Sequence, residues 1–423
     1  MENLNGINHG SGNKGESYVL LCRYAAQAFG DGYNPQVFSD GYGTQVVSGA
    51  RDAQVVDDVY KAICLYTYCR AQRRSLPQWV TGAVMSKTGI VPKVATRLTA
   101  KDHWEHVMCR VSAFRLNYSV QPGLYAVGEA GDNSEVLVTA NYKYSFDLLR
   151  QSLDGLSAWI LVLDTGGINV WCAAGKGTFG TDELVRRIEE ARLSELVTHR
   201  HVIVPQLGAP GVKGYAVQSA TGFSVLFGPV YARDVVSYIK NGYQATRQMR
   251  TVNFTFIDRL ILTPMEIIPA IKKYFIFSLF ILVFFGLGPT GIIFNNAIHR
   301  GLPFLLLGAA SIIAGALLSP ILLPYVPFRS FAAKGWVVGL VVVHGCVHLI
   351  SQLVHMDKFL LAASYVFFPM ASSFFTLQFT GSTTFTGLSG VKKELKYAII
   401  FYVVMSAITL VALIIYKVNI WRF

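Results

Sequence analysis

The chain has 423 residues, 52% of them hydrophobic, and 37 Lys and Arg against 25 Asp and Glu give it a formal charge of +12. The apolar residues crowd towards the C-terminus, a distribution that a single soluble domain does not need. No basic run with interleaved aromatics accompanies the positive charge, so it reads as affinity for anionic lipid headgroups or an acidic partner protein and not for nucleic acid.

Met1 to Ser17 is polar and rich in Gly and Asn, without the basic, apolar and small-residue succession of a cleaved signal. Tyr18 to Arg74 carries apolar residues at helical spacing, among them Tyr24, Phe29, Tyr60, Ile63 and Tyr66, broken by the Gly-, Asp- and Tyr-rich stretch from Gly30 to Gly43. Residues 1–90 thus read as a partly helical N-terminal extension, a cap or a partner surface.

From about Leu124 the pattern changes to short β-rich runs divided by Gly, Pro and Asn. Strands are expected at Val136–Thr139, Ala158–Asp164, His201–Pro205, Ala216–Gln218 and Phe223–Phe227. Helices are expected at Tyr144–Leu153, at Asp182–Leu193 behind Thr181, and at Ala232–Lys240. Strands alternating with helices predict a Rossmann-like α/β domain over residues 91–245. Ligands bind such sheets where strands end and loops begin. The loops to watch are therefore Thr139–Lys143, Asp164–Gly180, Pro205–Gly214 and Gly228–Pro229. Residues 246–273, with Phe254, Phe256, Ile257, Leu260 and Ile261 around Arg259, read as an interfacial helix or connector.

Five runs beyond it hold no charged residue: Tyr274–Ala297, Gly301–Phe328, Gly335–Met356, Phe359–Val391 and Tyr397–Tyr416. Each reaches the roughly 20 residues that a helix needs to cross a bilayer. As a soluble core they would be consecutive helices apolar on every face with almost no polar surface. The prediction is an all-α five-helix transmembrane domain over residues 274–418. With the N-terminal domain cytosolic, the inner flanks hold Lys272, Lys273, Arg329, Lys334, Lys392, Lys393 and Lys396, and the outer ones Arg300, Lys358, Lys417 and Arg422. That bias favours a cytoplasmic (inner) membrane protein with its N-terminus inside and its C-terminus outside.

Cys22, Cys64, Cys69, Cys109, Cys172 and Cys346 form no closely spaced framework, and Cys64 and Cys69 are too far apart in sequence for a local zinc or iron–sulfur set. Free thiols in a reducing compartment are expected. Cys172 stands out, because it follows an apolar strand inside a small-residue loop with Lys176 one turn on. The start of a helix there favours a thiolate, which is both a nucleophile and a soft metal ligand. A buried cysteine closing a strand is the third possibility. The phosphate-loop pattern fails, since Val170 stands where Gly is required and Gly177 where Ser or Thr should follow Lys176. A cysteine hydrolase needs a histidine base, and nothing in the residue order ties His199 or His201 to Cys172.

Asn169-Val-Trp-Cys-Ala-Ala-Gly-Lys176 resembles the signature of the mercury-methylating corrinoid protein family, HgcA. The resemblance extends over Leu116–Tyr118, Pro122–Gly128, Val138–Lys143 with Ser145–Asp147, Trp159–Asp164 and Thr178–Arg187, and in layout from about Val91 to the C-terminus. The domain is also similar to the corrinoid-binding half of the corrinoid iron–sulfur protein of the acetyl-CoA pathway. The Asp-x-His-x-x-Gly pattern of histidine-ligated cobalamin enzymes is absent, Asp102-His103 having the wrong order. The resemblance implies a corrinoid (cobalamin) whose cobalt takes Cys172 as lower axial ligand and which transfers a methyl group to Hg(II). It implies that Asn169, Val170, Trp171, Ala173, Ala174, Gly175, Lys176 and Gly177 cap the corrin face, and that Thr139, Ala140, Asn141, Tyr142 and Lys143 form part of the pocket. The strand-end loops add Asp164, Thr165, Thr178, Pro205, Gln206, Gly208, Gly228 and Pro229. This chain carries no iron–sulfur cluster motif, so the implied electron source is a ferredoxin-like partner with two 4Fe–4S clusters. Two alternatives stand beside this reading: a corrinoid methyl carrier of one-carbon metabolism, and a membrane transporter or receptor with a soluble sensor domain. In the third apolar run His344, His348 and His355 share one helix face, which suits either a metal or haem site or interhelical hydrogen bonding.

Overall fold

The computed structural model of the chain describes residues 36–39, 45–48 and 77–422, apart from 289, 290, 293, 351, 352, 354, 355, 384 and 387. Apart from residues 36–39 and 45–48, the stretch Tyr18–Arg74 expected to show helical spacing, together with Cys22, Cys64, Cys69 and His355, lies outside the described residues. Near the glycine-rich stretch, Gln36–Ser39 and Gln45–Ser48 pair antiparallel. The chain divides into two compact units, Met1–His106 with Leu116–Thr251, and Val107–Arg115 with Val252–Phe423.

The first unit is a mixed α/β domain built on a seven-stranded sheet. Its strands are β1 (Val80–Ser86), β2 (Gly89–Val94), β3 (Gly123–Val127), β4 (Glu135–Ala140), β5 (Ala158–Leu163), β6 (His201–Val204) and β7 (Ser224–Phe227), in the order β1-β2-β3-β5-β4-β6-β7. The four strands β5-β4-β6-β7 are mutually parallel. β3 runs antiparallel to β5, and β1 and β2 form an antiparallel hairpin turned at Gly89, whose φ of 121° suits glycine. This hairpin straddles the boundary expected at residues 90 and 91, so the sheet begins earlier than the change of pattern at Leu124.

Helices cover both faces. Every residue of β5 is buried, because alternate side chains feed two cores. Trp159, Leu161 and Leu163 join Val138, Phe179, Leu184 and Val217 on one face, while Ile160 and Val162 join Leu137, Phe146, Leu149 and Tyr238 on the other. The helices of this unit are α1 (Ala100–Val111, of which residues 100–106 belong to it), α2 (Lys143–Ser152), α3 (Val170–Lys176), α4 (Thr181–Glu190), α5 (Leu193–Leu196), α6 (Gly214–Thr221) and α7 (Val235–Lys240). One expectation fails here. Ala216–Gln218, expected as a strand, lies inside α6, because Gly222 at φ 77° closes a full helical turn after it and Val217 alone packs inwards. Three residues cannot reveal a period; the flanking Gly214 and Gly222 were the better signal.

The second unit carries five helices long and apolar enough to cross a membrane: Phe256–Gly286, Phe294–Leu322, Phe331–Leu349, Lys358–Gly381 and Ser389–Trp421. The first lies earlier than the uncharged run Tyr274–Ala297. Its helix ends at Gly286, where Leu287–Gly288 pairs with Gly291–Ile292 around a Gly-Pro sequence that cannot continue it. Residues 274–286 alone span about 20 Å, so a crossing by this helix would take in Lys272 and Lys273, long side chains that can extend to an interface. Residues 256–273 are therefore helix continuous with, or leading straight into, the first span, and Thr255 opens them with a reciprocal capping box to Asp258. Arg300 likewise lies inside the second helix and not in a loop.

Candidate functional site

The parallel strands end side by side at one edge, with Asn141 after β4, Asp164 after β5, Pro205 after β6 and Gly228 after β7. The chain leaves β4 through α2 to β5 on one side, then crosses to β6 on the other. That reversal is the position where open α/β sheets bind ligands.

Asn141 organises this edge. It is buried, and its Oδ1 accepts from Thr165 N at 3.1 Å, Thr165 Oγ1 at 2.8 Å and Gly167 N at 2.9 Å. Its Nδ2 donates to Asp164 Oδ1 at 3.1 Å. Gly166 and Gly167 take φ of 65° and 73°, a left-handed pair that a residue with a side chain would strain, and this bends the chain into α3.

Asn169 caps α3, its Oδ1 accepting from Cys172 N at 2.9 Å. Val170, Ala173 and Ala174 face the core, while Trp171 and Cys172 are half-buried and Gly175, Lys176, Gly177 and Thr178 exposed. Gly177 ends the helix at φ 84°, and Lys176 lies at its C-terminal end, where a cation is favoured. Cys172 is a free thiol on the outer side of this turn. Its own amide is occupied by the cap.

The neighbouring loop closes against α3 through missing side chains. A Cβ on Gly211 would lie 2.1 Å from the Phe179 carbonyl oxygen, and one on Gly208 2.5 Å from the Phe179 ring. Lys213 N donates to Thr181 Oγ1 at 2.9 Å. The helix α4 is thus capped by Gly180, and Thr181 instead ties down the 205–214 loop. Gln206 Oε1 accepts from Arg250 Nη1 at 2.6 Å, while Gly208, Gly228 and Pro229 are buried.

The structure brings Asn141, Asp164, Thr165, residues 169–178 and Pro205 to Gly208 to one edge. Thr139 and Ala140 are buried at the end of β4. Lys143 is different, because its ammonium is bound inside the domain: Nζ lies 2.8 Å from Asp102 Oδ1, 2.8 Å from Asp147 Oδ2 and 3.1 Å from the Tyr118 hydroxyl. Arg150 completes the group, its Nε 2.7 Å from Asp147 Oδ1 and its Nη2 3.1 Å from Asp102 Oδ2. Burial opposes ionisation of Asp102, yet Lys143 and Thr99 hold it below the usual carboxylate range; burial likewise opposes Asp147, and His106, Lys143 and Arg150 hold it low. Lys143 therefore anchors the loop that it follows and does not offer its charge to a ligand.

Glu183 carries a role not read from the sequence. Its Oε1 accepts from Asp164 N at 2.7 Å and from Arg187 Nε at 2.8 Å, with Arg186 on the other oxygen. It was visible only as an acid in a first helical turn. His199 and His201, considered as bases for Cys172, start β6 at the opposite edge of the sheet, which removes the hydrolase reading. In the third span the His344 and His348 rings lie 4.4 Å apart on one helix, and His344 Nδ1 lies 2.8 Å from the hydroxyl of Tyr365 on the next, an interhelical polar contact.

Residues 112–239 match the CO dehydrogenase/acetyl-CoA synthase delta subunit family. The chain is 33% identical over 123 residues to the acetyl-CoA decarbonylase/synthase complex subunit gamma of Methanopyrus kandleri, covering 29% of this chain and 26% of that protein. It is 28% identical over 149 residues to the corresponding Archaeoglobus fulgidus subunit, covering 33% and 31%. To the corrinoid/iron–sulfur protein large subunit of Moorella thermoacetica it is 25% identical over 171 residues, covering 38% and 37%. The chain thus spans from about a quarter to somewhat over a third of the length of these relatives, and the relationship to corrinoid proteins rests on the α/β domain.

Proposed function

We propose that this chain is a membrane-anchored corrinoid-dependent methyltransferase whose Rossmann-like domain, over residues 91–245, faces the cytosol and passes a methyl group to Hg(II), giving methylmercury. The observation that carries this reading is the Asn169–Lys176 segment, folded as a capped turn with a half-buried Cys172 after the carboxyl end of β5. The corrinoid part draws support from the relatives, and the mercury part from the signature itself.

The residues fit such a group. A flat macrocycle needs an open surface with a donor beneath it, and Cys172 is half-exposed beside Gly175 and Gly177, which add no bulk. A thiolate is a soft donor suited to a transition metal. When bound, the corrinoid supplies a cobalt centre for methyl transfer, whose reactivity its axial ligand sets. Cys172 would supply the sulfur that holds it, Asn169 fixes the turn that carries the sulfur, and Asn141 fixes the loop that leads to that turn. The electron donor is a separate ferredoxin-like protein with two 4Fe–4S clusters.

Cys172→Ala is expected to abolish methylmercury formation in cells that contain the ferredoxin partner, and to remove the thiolate–cobalt absorption of the purified protein. Full activity in the variant would refute the assignment. The names of the relatives favour a second reading, a carrier serving one-carbon metabolism; comparing Hg(II) with thiol and metal-cluster acceptors in one transfer assay separates the two. Substoichiometric cobalt in the purified protein would favour a transporter or receptor instead.

A further inference from the structure

At the amino edge of the sheet, remote from Cys172, three potential ligands converge. The parallel register sets Leu137 opposite Ile203, so Glu135 at the start of β4 falls beside His201 at the start of β6. His199 precedes His201 by two residues, which in extended chain puts both on one face. The ligand atoms of Glu135, His199 and His201 all lie within 4.8 Å of one another.

The hydrogen bonds dispose these atoms as a metal needs them. His199 Nε2 donates to the Ser134 carbonyl oxygen at 3.0 Å, so its Nδ1 keeps a lone pair. That Nδ1 is buried and has no hydrogen-bond partner. A ring nitrogen bound to a backbone carbonyl, with the other nitrogen left bare, is the usual disposition of a ligating histidine. His201 Nε2 and Glu135 Oε2 share a proton at 2.9 Å, and the Tyr243 hydroxyl donates to Glu135 Oε1. The His199 and His201 rings stack with centroids 4.1 Å apart. The Glu135–His201 pair explains itself as a hydrogen bond, but nothing in that bond accounts for the bare, buried Nδ1 of His199.

We propose that Glu135, His199 and His201 form a binding site for a divalent transition metal, zinc by the type of its ligands. The proton of His201 Nε2 shifts to its own Nδ1, so the ring stays neutral, and the metal takes the vacated place between Nε2 and Glu135 Oε2 while accepting the lone pair of His199 Nδ1. Two histidines and a carboxylate are a known zinc set that leaves a fourth position for water or a further donor. The metal would pin the starts of β4 and β6 together, and it is independent of any corrinoid at the other edge.

The test uses the untagged full-length protein in detergent, stripped with a chelator and titrated with zinc chloride against a chromophoric zinc chelator. About one zinc per chain is expected, with a nitrogen and oxygen shell near ~2.0–2.1 Å in zinc X-ray absorption. His199→Gln and Glu135→Gln should each weaken binding by about 100-fold or more, while Cys172→Ala should leave it unchanged. Should His199→Gln fail to fold, judged by circular dichroism, Glu135→Gln and the wild-type absorption spectrum still decide. A sulfur shell near ~2.3 Å, no retained zinc, or unchanged affinity in folded variants would each overturn the assignment.

Discussion

Asn141 sets the shape of the loop that carries Cys172. One buried carboxamide oxygen accepts three donors from residues 165–167, and its amide group holds Asp164. Removing an acceptor from buried donors leaves them unsatisfied at about 1–3 kcal/mol. Asn141→Ala is therefore expected to lower the thermal midpoint of the α/β domain, followed by circular dichroism of the full chain, and to weaken corrinoid retention although no ligating atom is touched. Unchanged retention in the folded variant would remove Asn141 from the supporting role. The sequence marks Asn141 only as one residue of a strand-end loop and, through resemblance, of the pocket. Its actual partners lie 23 to 26 residues away and become neighbours only when β4 and β5 align Ala140 with Leu163. Asn169 was more legible, because a cap acts within one turn of its own helix.

At the scale of elements, α2 joins α1 through charges buried where water cannot screen them. Lys143, Asp147 and Arg150 follow one another on α2, and Asp102 answers from α1; Asp147 and Arg150 are each 0% exposed. Both carboxyls have folded pKa values below their unfolded ones, so the group contributes stability above about pH 4 and loses it as pH falls below that. Lys143→Met would take from the buried Asp102 and Asp147 the cation that they share and is expected to cost about 3–5 kcal/mol at neutral pH. It should also flatten the acid limb of the stability curve, because Asp147 is then less depressed; an acid limb as steep as wild type would contradict the account. No periodicity announces such a network. The sequence shows apolar β4 and β5 plainly, since burial on both faces demands continuous hydrophobics, but it hides the β1–β2 hairpin, where exposed and buried residues mix, and it hides α6, where three residues imitate a strand. Small residues at the third and fourth spans follow the same logic of contact: a Cβ on Gly335 would meet Thr376 Oγ1 at 2.2 Å, a close approach that hydropathy alone cannot register.

For the molecule as a whole, five crossings would place the two ends of the membrane unit on opposite sides, and the charge of the flanks predicts which side is which. The last helix makes this argument sharper than the loops do. Its 33 residues from Ser389 to Trp421 extend about 50 Å, well beyond a hydrocarbon core of about 30 Å. The excess length therefore protrudes, and its N-terminal end carries Lys392, Lys393 and Lys396 within little more than one turn. Such a cluster is retained on the cytoplasmic side. A periplasm-active phosphatase fused after the last residue is expected to be active, and the same reporter inserted beside Arg329 inactive. Replacing Lys392, Lys393 and Lys396 by Glu should reduce the activity of the C-terminal fusion, because the last span then loses the charges that fix its entry. An inactive C-terminal fusion with an active one at Arg329 would reverse the orientation and put Cys172 on the side without a reducing pool, where a free thiolate ligand could not be maintained.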